Sequence, residues 1–258
     1  MANTIVEKKM LAAVVHAAIA DVKVYPLTKI VPMEAKAGGS VDLPTVTYIG
    51  DADTVEAGVA INPADFTAQT VNHKVIKAAK AMKVTQEDMN NSYIDLQEEA
   101  EFQLGKAIKN KVEKDLMACL GTATLTAEIA GLNGMNLPDA LIPFGDALDE
   151  KMYIIVNPAG LAEIRKDDAF VMNASHTNNV NAAGMLFDME VIVSAKVPEN
   201  TCYVIKEGAL ALYLKKDAEI EMDKDIVTQT YNIVATQHYV AVLNDASKAI
   251  KVTIAAGA

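Results

Sequence analysis

The hydrophobic pattern is most regular over residues 85 to 120, where it predicts a long helix. Apolar or small residues recur there in steps of three or four, which is the spacing of one helical face. Thr85 can cap the first turn, with Asp88 three residues further on. Acids crowd the first half of the segment and lysines the second half, as the helix dipole favours. The predicted face comprises Met89, Tyr93, Leu96, Ala100, Leu104, Ile108, Val112, Leu116 and Cys119.

Two extended limbs precede this helix and enclose a polar turn region. Val41 to Thr47 predicts a strand in which Pro44 is tolerated only at a sheet edge. Phe66 to Val84 alternates in part and is partly β-branched, so it predicts the returning limb. The segment between them is rich in Gly, Asp and Asn and has little apolar content. Such a hairpin-like excursion has nothing of its own to bury and typically exists to contact another molecule.

The second half of the chain is predicted to be rich in strands. Lys151 to Val156 has the composition of a buried strand, and Asn157-Pro158 then opens a helix that continues to about Asp168. Helices in the first half followed by a strand-rich second half predict an α+β fold. The further predicted strands are 189 to 194, 202 to 206, 209 to 214, 218 to 222, 226 to 243 and 248 to 254.

Composition narrows the function classes. The chain has 258 residues and a formal net charge of −11, so it lacks the surplus of basic residues that nucleic-acid binding requires. Arg165 is its only arginine, which disfavours bidentate phosphate recognition. No apolar run approaches the roughly 20 residues of a membrane span. These features predict neither a sequence-specific nucleic-acid binder nor a membrane protein.

The N-terminal segment and the two cysteines each have two interpretations. Lys8-Lys9 and the apolar run from Met10 to Ala20 have the outline of a secretory signal, but Glu7 and His16 interrupt it, so an Ala-rich packing helix is favoured. Cys119 and Cys202 belong to no CxxC pair, and two buried thiols are favoured over a disulfide.

The usual enzyme signatures are absent from the sequence. It contains no GxGxxG, GxxxxGK[ST], HExxH or GxSxG motif, and its four histidines show no metal-ligand spacing. We therefore expect no enzyme and no cofactor. An acidic alternation offers a divalent-cation site as one interpretation, and a solvated or lysine-facing surface as the favoured one; an EF-hand is excluded because Met222 stands where Gly is required. The alternating acids are Asp217, Glu219, Glu221, Asp223 and Asp225.

The order of these elements resembles the major capsid protein family of tailed bacteriophages, with the Hong Kong 97-like fold. The resemblance covers nearly the whole chain and rests on five stretches taken together. These stretches are Leu43-Pro44-Thr45-Val46-Thr47-Tyr48-Ile49-Gly50 through Ala57-Gly58, Val84-Thr85-Gln86-Glu87-Asp88, Ile155-Val156-Asn157-Pro158 leading into Leu161, Met189 to Ser194 with Val197-Pro198, and Asn232-Ile233-Val234-Ala235 to Val240-Ala241-Val242.

The resemblance implies a domain organisation. It predicts an N-terminal arm over residues 1–30 and an extended loop over 42–75. A peripheral domain over 76–120 would contain the spine helix, residues 85–120. An axial domain would follow over 121–225, and residues 226–258 would form closing strands of the two domains.

The resemblance also implies a self-assembling shell in a virion. The expected partners are copies of the chain in hexamers and pentamers, a separate scaffolding protein, a portal, and enclosed double-stranded DNA bound without sequence specificity; assembly is expected in the host cytoplasm. The alternatives are a cellular nanocompartment shell of the same fold, or a soluble binding protein or enzyme. Relatives that cross-link use a loop lysine, but residues between Val41 and Asn72 include no Lys. Non-covalent docking on a neighbour's lysines is expected instead, with Asp51, Asp53, Glu56 and Asp65 as candidate contacts.

Overall fold

The computed structural model describes residues 23–24, 27–33, 39–46, 52, 54–55, 68–91, 96–146, 149–172 and 182–255. The helices in these ranges are α1 Gln86–Asn91, α2 Leu96–Leu120, α3 Leu137–Ala140 and α4 Pro158–Ile164, with 3₁₀ turns at Ile142–Phe144 and Ala246–Lys248. The strands are β1 Lys29–Pro32, β2 Ser40–Val46, β3 Ala68–Lys74, β4 Ile76–Thr85, β5 Leu125–Ile129, β6 Met152–Val156, β7 Phe170–Val171, β8 Ala182–Leu186, β9 Met189–Val193, β10 Thr201–Lys206, β11 Leu210–Asp225, β12 Thr230–Leu243 and β13 Ala249–Ile254.

The first large sheet has four strands in the order β1-β11-β12-β4. Its main part is a long antiparallel pair of β11 and β12, and β4 pairs with β12 along its whole length. Helix α2 packs on one face of this sheet, against β12 and β4. That face is apolar and buried because alternate residues of each strand point toward the helix.

The second large sheet has seven strands in the order β5-β13-β10-β6-β9-β8-β7. It is mixed: β6 runs parallel to β9 and β13 runs parallel to β5, whereas the other neighbours are antiparallel. Strand β13 is therefore inserted between two strands that come much earlier in the chain. The two-stranded sheet β2-β3 stands apart from both large sheets.

Two apolar clusters form the core. The first joins the buried face of α2, the covered face of the four-stranded sheet and one face of the seven-stranded sheet, where Ile155 and Ile192 lie. The second lies on the opposite face of the seven-stranded sheet, where Ile154 and Val191 pack with α3 and α4. The seven-stranded sheet is thus covered on both faces, which explains its continuous apolar strands.

The predicted helical face is largely confirmed. Five of its members, Ala100, Leu104, Ile108, Val112 and Leu116, are buried, and they recur every four residues along α2. The Thr85 hydroxyl accepts a hydrogen bond from the Asp88 amide at 3.1 Å, as the capping box predicts. Residues 92–95, which separate α1 from α2, lie outside the described residues.

The Asn157 cap is also confirmed. Its side chain accepts a hydrogen bond from the Gly160 amide at 2.6 Å, and α4 begins at Pro158. The helix ends at Ile164, four residues before the predicted end near Asp168. Asp167 is engaged elsewhere, because its carboxylate accepts hydrogen bonds from the Gly134 and Ala169 amides.

Four predicted strands differ from the structure. The limb from Phe66 to Val84 is divided at Val75, because β3 pairs with β2 whereas β4 pairs with β12. Residues 226–229 form a turn and not the start of a strand. The strands predicted at 209–214 and 218–222 are one strand, β11, that is irregular between Leu214 and Glu219.

This irregularity comprises two register shifts, the first between Leu214 and Lys216 and the second a β-bulge opposite Gln237. Lys216 pairs with His238 and Glu219 pairs with Thr236, so two residues of β11 face one residue of β12. Gln237 is fully buried, and within the described part of the chain neither of its amide atoms has a hydrogen-bond partner. Because β11 lies in one sheet with β4, the chain passes from the seven-stranded to the four-stranded sheet near residue 210.

Candidate subunit-contact surfaces

The structure describes the base of the extended loop but none of its four candidate contacts. Asp51, Asp53, Glu56 and Asp65 are outside the described residues. The base of the loop is described: β2 pairs with β3 in antiparallel register from Ser40–Lys74 to Val46–Ala68. Asp42, an exposed acid on β2, accepts a hydrogen bond from the Asn72 side chain across this pair. The structure therefore shows a hairpin whose two strands lead into and out of the acidic segment.

A cavity of about 720 Å³ lies where this hairpin meets the end of α2. Leu43 and Val71 line it from the hairpin, and Cys119 and Leu243 line it from the body. The Cys119 thiol donates to the Ala241 carbonyl at 3.1 Å. Burial, aided by Asp115, raises the pKa of this thiol to about 11. The thiol is therefore neutral and is a poor nucleophile at neutral pH.

The second thiol is also structural. Cys202 is buried within the seven-stranded sheet, and burial raises its pKa to about 12. Both cysteines are free, as predicted, but only Cys202 is fully buried, whereas Cys119 is partly exposed. In the ranges that the structure describes, no three His, Cys, Asp or Glu side chains converge as a metal site would require. Among the described helices, none combines the length and hydropathy of a membrane span.

The acidic alternation lies on the uncovered face of the four-stranded sheet. Glu221 and Asp223 are exposed, whereas Ala218 and Ile220, on the opposite face, are buried. Across the sheet, Glu221 faces Val234 and Asp223 faces Asn232. These neighbours carry no charge, so the carboxylates spread along one strand and do not converge on a common point. This arrangement is that of a solvated or partner-facing surface.

The bulge lies at the first acid of the alternation. Asp217 lies within the irregular stretch of β11, and its carboxylate accepts a hydrogen bond from the Ala218 amide. Glu219, which comes after the bulge, pairs with Lys216. The pairing with β12 is therefore regular only from Glu219 onward, whereas burial alternates from Asp217, which is exposed, through Ala218 and Ile220, which are buried.

The turn between β11 and β12 presents two apolar side chains that the sequence interpretation missed. Ile226 and Val227 are 82% and 93% exposed. Asp225 orders the turn, because its carboxylate accepts hydrogen bonds from the Val227 amide at 2.9 Å and the Thr228 hydroxyl at 2.7 Å. These hydrogen bonds, that of the Thr228 hydroxyl first, lower the pKa of Asp225. The spacing of Asp225 and Thr228 is the sequence signal of such a turn.

A second apolar surface lies at the edge of the seven-stranded sheet. Phe187 and Asp188 form the two-residue turn between β8 and β9, with φ of 48° and 61°. A turn of this type needs positive φ at both positions, and a bulky residue rarely adopts it. Phe187 is half exposed, and its ring lies against Gly134, where an added Cβ would approach it to 3.1 Å. Met135, beside this contact, is strongly exposed.

The chain is similar to phage capsid proteins both by family model and by a curated relative. A family model described as phage capsid protein matches residues 68–252. A major capsid protein from Staphylococcus phage phiMR11 is 31% identical over 232 residues, covering 87% of this chain and 84% of the relative.

Solved structures agree on the fold. The capsid of the cyanophage P-SCSP1u is similar with a TM-score of 0.69 at 14% identity, covering 90% of this chain and 87% of that one. A virus-like particle from Pyrococcus furiosus is similar with a TM-score of 0.67 at 12% identity, covering 95% and 98%. The expected capsid fold is confirmed, and the chain belongs to the phage capsid protein family.

Proposed function

We propose that this chain is the major capsid protein of a tailed bacteriophage and that it assembles as hexamers and pentamers into an icosahedral head. The observation that carries the proposal is the similarity to the phiMR11 major capsid protein over most of both chains. The protein acts as a structural component and not as an enzyme. A symmetric shell uses the same surface patches at every equivalent contact, so few surfaces suffice to build it.

The exposed apolar turn is one such surface. A monomeric protein gains nothing from ordering Ile226 and Val227 in water, whereas burial against a neighbour contributes about 25 cal/mol per Å² of apolar surface. The turn is held in one conformation by Asp225 before any contact forms, which lowers the entropic cost of association. We assign this turn to a contact between subunits.

The first experiment is electron microscopy with light scattering on the protein expressed alone and together with its neighbouring reading frames. Closed shells, or free hexamers and pentamers, are expected. A monodisperse 27.6 kDa monomer under every condition would contradict the proposal.

The turn contact is tested in the same assay. Ile226→Asp with Val227→Asp is expected to abolish shells while leaving the melting temperature within a few degrees of the original. Ile226→Val with Val227→Ile keeps the apolar character and is expected to assemble. Normal shells from the Asp variant would remove the turn from the set of contacts.

The acidic loop is a second contact. Asp51, Asp53, Glu56 and Asp65 would dock on lysines of a neighbour without a covalent bond, because the loop contains no Lys. Assembled particles should therefore run as single 27.6 kDa subunits on a denaturing gel. High-mass covalent ladders would contradict this part of the proposal.

The remaining partners follow from the proposed role. The head would enclose double-stranded DNA in the virion without sequence-specific contacts, which suits a net charge of −11. A separate scaffolding protein and a portal would take part in assembly in the host cytoplasm. Co-expression with the neighbouring reading frames tests this: shells of one uniform size should appear only when the scaffolding gene is present.

A cellular nanocompartment is the second candidate, because the fold shared with the virus-like particle from Pyrococcus furiosus does not specify what a shell encloses. The contents of the shell distinguish the two. Nuclease-protected double-stranded DNA in particles isolated from the native host is expected for a phage head. A protein cargo without DNA would favour the nanocompartment.

A further inference from the structure

A cavity of about 430 Å³ opens between helix α2 and the segment that follows β9. Its walls are partly apolar, with Pro158, Val193 and Ala195, and their charged groups are more positive than negative. The charged and polar residues that line it are Lys23, Lys109, Asn110, Glu113, Ser194 and Lys196.

One side of this cavity is a fixed polar network. Glu113 is buried, and its carboxylate accepts a hydrogen bond from the Ser194 hydroxyl at 2.9 Å. Its other oxygen accepts from the Lys196 ammonium, which also donates to the Asn110 side chain at 3.0 Å. An ammonium has three donors, so Lys196 retains one for a ligand or for water. The network holds a lysine at the cavity wall in a defined position.

The charge of the cavity is unbalanced. Three lysines surround a single carboxylate, and that carboxylate is already paired with Lys196. Lys109 lies one helical turn before Glu113, and Lys23 lines the same cavity; neither forms an ion pair with a described acid. The cavity therefore has two positive charges, those of Lys23 and Lys109, that no carboxylate of its lining balances. An anionic group with carboxylate oxygens would complement them.

The acidic loop supplies such a group. The 21 residues from 47 to 67, between β2 and β3, contain Asp51, Asp53, Glu56 and Asp65 and no Lys or Arg. Folded back on itself at roughly 3.3 Å per residue, this segment can reach about 35 Å beyond the paired strands. It is long enough to reach a neighbouring molecule.

Helix geometry indicates that the loop would come from another copy. The hairpin base meets α2 at Ala118 and Cys119, whereas the cavity lies at Lys109, Asn110 and Glu113. At about 100° per residue these two sets lie on roughly opposite sides of the helix. A loop that leaves the body on one side would have to wrap around α2 to enter its own cavity.

We propose that the cavity at Lys23, Lys109 and Lys196 receives the acidic loop of a second copy of this chain. The inference rests on the proposed shell function and names the lysines that its loop contact uses. The contact is directional, since each copy donates a loop on one side and offers a cavity on the other. Such heterologous contacts form closed rings when the rotation between neighbours closes, as in hexamers and pentamers.

Charge reversal tests the receiving side. Lys23→Glu with Lys109→Glu is expected to abolish shells, whereas Lys196 is left intact to keep Glu113 paired. The matched control, Lys114→Glu with Lys166→Glu, makes the same change of net charge at exposed sites outside the cavity and is expected to assemble. Equal loss in both variants would show a general charge effect and overturn the proposal.

A compensating change tests the pairing. Asp51→Lys with Asp53→Lys is also expected to abolish shells, and the chain that carries both the loop and the cavity reversals is expected to recover them. Failure of the combined chain, although each reversed chain remains folded by circular dichroism, would overturn the pairing.

A cross-link gives evidence that does not depend on the charge variants. Asp53→Cys combined with Lys109→Cys is expected to give disulfide-linked oligomers on a non-reducing gel. The pair Asp53→Cys with Lys114→Cys should remain monomeric there. Ladders in the control alone would place the loop elsewhere on the helix.

These outcomes distinguish a failure of the proposed shell function from a failure of the cavity assignment. If the unmodified chain never assembles, the proposed function fails. If it assembles, and Lys23→Glu with Lys109→Glu assembles equally well, only the assignment of the cavity fails.

Discussion

The two large sheets differ in how many of their faces are covered. In the seven-stranded sheet, neighbours along β6 go to different cores: Ile154 packs in one cluster and Ile155 in the other. In the four-stranded sheet, α2 covers one face, whereas Glu221 and Asp223 lie exposed on the other. Other parts of the same chain cover both faces of the seven-stranded sheet. The four-stranded sheet leaves a face and a turn for other molecules, so stability and assembly are separable properties here.

The largest expected effect tests the double coverage directly. Ile154→Ala removes a fully buried side chain from the seven-stranded sheet and should lower the free energy of unfolding by about 2–5 kcal/mol. Val234→Ala, on the uncovered face of the other sheet, should lower it by less than about 1 kcal/mol. Denaturant unfolding of the unassembled subunit measures both. Similar losses would mean that the uncovered face is part of the core.

A smaller effect is expected on the covered face of the four-stranded sheet. The buried Tyr239 hydroxyl donates to the Asp115 carboxylate at 2.8 Å and thereby links β12 to α2. Burial, together with Asp115, raises the pKa of Tyr239, so it remains a donor. Tyr239→Phe should cost about 1.5–3 kcal/mol, the range for a hydrogen bond to a charged group. Tyr231→Phe on the same strand is the control, and equal costs would argue against the Asp115 link.

Replacement of Gln237 is expected to increase stability. Its buried amide has no described partner, and burial of an unpaired polar group costs about 1–3 kcal/mol. Gln237→Leu keeps a similar volume and should raise the melting temperature. Asn232→Leu, on the uncovered face, should leave it nearly unchanged. A lower melting temperature for Gln237→Leu would indicate that the amide is satisfied.

The smallest expected effect is the pH dependence of stability that His238 causes on the uncovered face. Burial, with Lys77, Lys216 and Lys215, lowers the pKa of His238. A lowered pKa means that the unfolded chain binds the proton more readily, so stability is present above the ordinary value near 6.5 and is lost as pH falls through the lowered one. His238→Gln should flatten the fall in melting temperature between pH 6.5 and 5. His73→Gln is the control, and an unchanged slope for His238→Gln would contradict the assignment.

Local signals predicted the parts of the fold that depend on local chemistry. Thr85 and Asn157 cap helices because their own side chains reach the amides three residues on. The buried face of α2 could also be predicted, because apolar residues at every fourth position lie on one side of a helix. Where pairing decides the structure, prediction failed: the bulge depends on how β11 meets Gln237, and the division at Val75 depends on which strand lies beside each half.

The contact surfaces show the same limit. The acidic loop could be identified because a polar excursion without lysine is visible in the sequence alone. The lysine cavity could not, because Lys109 and Lys196 are brought together only when the segment after β9 meets α2. The turn at Ile226 was hidden by its β-branched composition, which favours a strand.

The position of β13 has a consequence for how quickly the subunit folds. Ile250 pairs with Leu125, half of the chain away, and β13 separates β5 from β10. The search for a partner so distant in sequence slows folding, since the loop entropy is lost before the contact forms. Until β13 arrives, the edges of β5 and β10 stay open to other chains. Concentration and temperature during expression should therefore decide the yield of soluble subunit more strongly than the stability of the finished fold.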